Sequence, residues 1–113
     1  MTPTLHSSRE VILRTDKWVE AVQFYETTLG FKVVLRSDTV VGFDTGAFIL
    51  YVERGSDHTA VFELLTPEVQ ATKVRLLASG CVLVEEDPQV PRCYLKDPFG
   101  LVFNLGTRDS GVP

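Results

Sequence analysis

Along the chain, the spacing of apolar residues switches from strand-like to helix-like and back, and it does so twice. "REVILRT" (9–15) is rich in β-branched and aliphatic residues and predicts a strand. "DKWVEAVQFYETTLG" (16–30) places Trp18, Val22, Tyr25 and Leu29 at helical spacing. Asp16 suits the N-cap of that helix and Gly30 its stop. Three short strands follow, at 31–37, 39–44 and 47–53. The second half repeats the order: a strand at 59–65, a helix at 66–80, and strands at 81–86, 91–97 and 101–106. Thr66 suits the N-cap of the second helix, Pro67 its first position, and Gly80 its end.

Laying Gly30 on Gly80 superposes the two helices with one gap, and the match is of pattern more than identity. The chain therefore predicts one domain made of two βαβββ modules, 9–53 and 59–107, joined by "RGSDH" (54–58) and ending in a polar tail, 108–113. One helix covers only one face of its sheet, so the other face must meet a partner or line a cavity. The expected class is α+β, with the two modules forming a cup-shaped mixed sheet and the helices on its outer face.

Composition narrows the function classes. The 113 residues are 44% hydrophobic and 23% charged, which is ordinary for one globular domain. A net charge of −4 with scattered Lys and Arg argues against nucleic acid as a partner. No apolar run approaches the ~20 residues that span a bilayer, so no membrane partner is expected. The N-terminus lacks a basic start and an apolar core, so a cytoplasmic address is the expectation. Cys81 and Cys93 fall on neighbouring predicted strands outside any CxxC pair and are expected to be free thiols.

"KDPFGLVFNLG" (96–106) raises a sharper question, because Asn104 interrupts the apolar run of a strand. This segment resembles the F-x-DPDG-n-x-x-E-L signature of the glyoxalase/bleomycin-resistance/dioxygenase superfamily, the vicinal oxygen chelate proteins. "EAVQFYETTLGFKVV" resembles that superfamily's other signature, A-x-x-FY-x-x-x-LGF. Together, in a doubled βαβββ chain, they are specific for the fold, although one fold carries many functions. The resemblance implies paired modules around an open cup, a homodimer and, in the enzymes, a divalent metal. Its ligands are mainly His and Glu on the first and last strands of each module.

Carried onto this sequence, the ligand positions fall on Glu10, Leu50, Thr59 and Asn104. That set offers one carboxylate, one hydroxyl, one amide, one leucine and no imidazole, so neither a metal nor a cofactor is expected. His58, one residue before Thr59, would join Glu10 in a partial site only if the strand slipped by one residue. With Glu10 facing the cup, alternation adds Ile12 and Arg14. The remaining wall positions are Phe48 and Leu50, then Thr59, Val61 and Glu63, and finally Val102 with Asn104. These residues make a mostly apolar surface with a few polar groups, as in small-molecule sites. Equally, Glu10, Arg14 and Glu63 could pair among themselves and fill the space. Phe103 and Leu105 would face the second helix, and a cup-facing Asn104 would be hydrated or touch a ligand, so Asn104→Leu should cost little; the plainer reading is that Asn104 hydrogen-bonds to a neighbouring strand or to water.

Three functions follow. The first is a metal-free protein that binds a small organic molecule, as drug-sequestering members do. The second is a lyase, isomerase or dioxygenase acting on a small oxygenated substrate. The third is a non-catalytic scaffold or regulatory subunit whose cup is closed by its own side chains.

Overall fold

A computed structural model describes residues 4–107. They divide into two compact units, Arg9–Val61 and residues 4–8 with 62–107, and the division falls inside strands and not in the 54–58 segment. The tail at 108–113 lies outside the described residues. Both units have the mixed α+β composition that the pattern predicts, with one helix against four strands. Among the described residues no helix is long and apolar enough to cross a membrane.

The first module contains β1 (His6–Thr15), α1 (Trp18–Gln23), β2 (Lys32–Arg36), β3 (Val40–Asp44) and β4 (Ile49–Arg54). Its strand order is β2-β3-β4-β1, with β1 parallel to β4 and the other pairs antiparallel. Val11, Val41, Phe43, Leu50 and Val52 form its core with Val22 of the helix. Asp16 does not cap α1. Its own N–H donates to Asp57 Oδ1 at 2.8 Å, while the Lys17 N–H donates to Thr15 Oγ1, so the helix opens one residue later, at Trp18.

The helix then widens into a π-helical turn over Phe24–Thr28. There the Leu29 N–H reaches back to the Phe24 carbonyl, and Gly30 leaves the turn at φ 73°. A wider spiral shifts the stripe around the axis. Trp18, Val22 and Tyr25 reach the core as expected, and Tyr25 stacks on Phe31, but Leu29 is left half-exposed.

The second module contains β5 (His58–Leu65), α2 (Val69–Ala78), β6 (Val82–Asp87), β7 (Arg92–Lys96) and β8 (Val102–Gly106). Its order is β5-β8-β7-β6, with β5 parallel to β8. Cys93, Leu95, Phe103 and Leu105 are buried beneath Val69 and Leu76 of α2, with Leu5 and Leu64 alongside. Phe103 and Leu105 thus face the helix as expected, whereas Phe62 stays 41% exposed. Thr66 and Pro67 lie before the helix. The Thr66 N–H extends the sheet by donating to the Gly106 carbonyl, and its buried hydroxyl meets that of Thr72 at 2.9 Å. Cys81 and Cys93 are free, and burial raises both thiol pKa values.

Candidate ligand-binding face

In each module, one sheet face lies under the helix and the other does not. Strand register decides which residues share the helix-free face, because directly paired residues point the same way. In the first module, Glu10 pairs with Ile49, Ile12 with Tyr51 and Arg14 with Glu53. Leu50 instead pairs with Val11 and belongs to the core under α1. The expected placement of Leu50 is therefore off by one residue, and Tyr51 takes the helix-free position. The sequence carried the signal: in "ILYVE" the wholly aliphatic pair is Leu50 and Val52, while Ile49 and Tyr51 alternate in phase with charged Glu53. Phe48 precedes β4 and closes a turn, its carbonyl accepting from Thr45 N and Oγ1.

Arg14 is already engaged. Its guanidinium lies 3.7 Å from Glu53 and donates to the Ser56 carbonyl at 2.9 Å. That is the self-pairing reading of the polar groups, with Glu53 as a partner of Arg14. Tyr51 is buried and lies against Gly42: a β-carbon at residue 42 would come within 2.9 Å of Tyr51 Cε1. Thr59 is exposed, and its carbonyl sits 2.7 Å from His58 Nδ1, while Val61 is almost fully buried.

In the second module, Glu63 pairs with Asn104 and Asn104 with Tyr94, so all three share the helix-free face, and Val102 joins them. The interrupting amide has a definite task. The β7–β8 pairing ends at Tyr94↔Asn104. One residue further, the Cys93 N–H donates to Asn104 Oδ1 at 2.9 Å, and Asn104 Nδ2 donates to Glu63 Oε2 at 3.4 Å. Asn104 is 9% exposed, so this is a buried brace that completes the sheet. The face is as expected, and of the readings open to the amide the bond to a neighbouring strand is the one the structure shows, in place of hydration. Next to it, Arg92 lies over the Tyr94 ring at 5.4 Å and pairs with Glu85 at 3.1 Å. Tyr51, Tyr94, Arg92 and Glu85 were missed because no motif marks them; only register brings them to this face.

The register also realigns the modules. Asn104 faces Glu63, and Tyr51 faces Ile12, so Tyr51 is the first-module counterpart of Asn104. Two residues earlier along each first strand, Val61 is the counterpart of Glu10, and Thr59 is not. Realigned in this way, the four positions hold Glu10, Tyr51, Val61 and Asn104. A divalent transition metal does not fit such donors, since the Asn104 oxygen already holds a backbone N–H and valine supplies none. Among the described residues no three His, Cys, Asp or Glu side chains gather as a metal site.

Solved structures share this architecture. A glyoxalase/bleomycin resistance protein/dioxygenase superfamily member from Vibrio splendidus 12B01 aligns over 90% of this chain and 97% of its own, at 19% identity and a TM-score of 0.60. The chain has this superfamily's fold. A hypothetical protein from Bacillus halodurans C-125 aligns over 98% of this chain and all of its own, at 9% identity and a TM-score of 0.66. Homoprotocatechuate 2,3-dioxygenase from Brevibacterium fuscum, in complex with 3,4-dihydroxyphenylacetate, aligns over 93% of this chain at 16% identity and a TM-score of 0.64. The chain spans about a third of that dioxygenase's length (37%). No family model and no curated protein matches the sequence.

Proposed function

We propose that this chain is a metal-independent protein that binds a small organic molecule on the helix-free sheet face. The observation that carries this reading is Asn104. The superfamily signature has a glutamate there, and in this chain the position holds an amide bonded to Cys93 N–H and Glu63. The surface beside it, with half-buried Val102 as apolar wall and Glu63 as a polar group, has the mixed character of small-molecule sites. A thermal-shift screen of small aromatic and heterocyclic compounds in the presence of chelator tests it. A compound at about 100 times its Kd stabilises by ~2.7 kcal/mol, which is several degrees for a domain of this size. Compounds that bind only after a divalent metal is added would favour the lyase, isomerase or dioxygenase reading.

One observation favours the scaffold reading instead. Tyr51, Val61 and Tyr94 lie on helix-free faces yet are only 5%, 1% and 2% exposed. A chain whose own side chains fill that face would bind nothing in the screen. We also propose a homodimer, supported by exposed Val82 and Val84 on edge strand β6 and by Phe99, which is 95% exposed at its turn. Sedimentation over a range of concentrations tests this, and a concentration-independent monomer mass would exclude it.

A further inference from the structure

The carboxylates on the helix-free face of the second module differ in what they already hold. Glu85 is paired with Arg92, whose guanidinium also covers the Tyr94 ring. Glu63 is half-buried, and among the described residues the one hydrogen bond to its carboxylate is the long donation from Asn104 Nδ2 at 3.4 Å. No Lys, Arg or His among the described residues forms an ion pair with it. The orientation of Asn104 is fixed by its other end, because the oxygen takes the Cys93 N–H and the NH2 group must turn to Glu63. An ionised carboxylate has about four acceptor sites, and a single neutral donor leaves most of them open. Charge-assisted bonds are roughly twice as strong as neutral ones. A donor cation is therefore the group that Glu63 is best suited to accept, with half-buried Val102 supplying apolar surface on the same face.

We infer that Glu63 anchors a protonated amine carried by an otherwise apolar ligand, and that Asn104 is the positioning residue that holds the carboxylate in place. This rests on the small-molecule reading above and names the ligand class. The test follows the Asn104 side-chain NH2 resonances by NMR during titration with benzylamine, benzyl alcohol and benzoate. Benzylamine should move them saturably and bind about tenfold tighter than benzyl alcohol, with benzoate weakest. In Glu63→Gln the advantage of the amine over the alcohol should vanish. Equal binding of alcohol and amine, or tighter binding of benzoate, overturns the amine assignment and leaves small-molecule binding standing. Lack of saturable binding by benzylamine also overturns it, and the wider compound screen then decides the binding reading separately. The wild-type comparison alone discriminates, so poor folding of the variant does not blunt the test.

Discussion

At equivalent places in the two modules, the helix-free sheet face is packed by different chemistry. In the first, Tyr51 of β4 lies against Gly42 of β3, which has no side chain to obstruct the ring. In the second, the large aromatic is Tyr94 on β7, and its partner on β8 is Asn104. Ring and small residue have exchanged strands. With the ring on β7, the β8 position is free to carry a polar group, and that amide supplies the acceptor for Cys93 N–H. A doubled fold thus keeps its registers while one copy uses apolar packing and the other a hydrogen-bonded brace.

Perturbations on both sides of this comparison should differ in size and in kind. The largest effect expected is that of Phe103→Ala, which opens a cavity beneath α2 and should cost roughly 3–5 kcal/mol in urea unfolding. Gly42→Ala comes next. The added methyl would sit 2.9 Å from the buried Tyr51 ring and 3.3 Å from Leu35 Cβ, an overpacking worth about 1–3 kcal/mol. Combining it with Tyr51→Leu should recover part of that loss relative to Tyr51→Leu alone. Additive costs would show that the ring and the glycine are not coupled.

Asn104→Leu should cost about 1–3 kcal/mol, because it strands the Cys93 N–H inside the protein. That is more than a hydrated amide would lose and still less than the loss in Phe103→Ala. If it proves the more damaging of the two, the account of the faces fails. The smallest effect concerns the turn that opens β8. Asp97 accepts from the Leu101 and Phe99 N–H groups, which hold its pKa below the usual aspartate range. A lowered folded pKa stabilises the protein above the unfolded value near ~3.9, and that contribution is lost as pH falls through the folded value. Asp97→Asn should therefore show a slightly flatter fall in stability between about pH 5 and 3 than the wild type. An identical slope would show that the turn does not contribute.

Most of the fold was legible from pattern. Spacing placed both helices and all eight strands, since Val11, Phe43, Phe103 and Leu105 had to be covered. Helix starts were predicted too early, because the backbone at each expected cap is still tied to another segment. Asp57 takes the Asp16 N–H, and Gly106 takes the Thr66 N–H, and neither pairing is local in sequence. The candidate site was legible at Glu63, Val102 and Asn104, where one strand run contains its own alternation. It was misread at Leu50, where a one-residue choice exchanges core for open face. A bond from Asn104 to a neighbouring strand was among the expectations, but its partner, the Cys93 N–H, depends on where the β7–β8 ladder stops.

The most direct test of a metal-independent site is metal content and thermal unfolding of the purified protein, with chelator and then with added Zn, Ni, Mn or Fe. The account predicts substoichiometric metal and an unchanged Tm throughout. One metal bound per chain, raising the Tm and lost in Glu10→Ala, would contradict it.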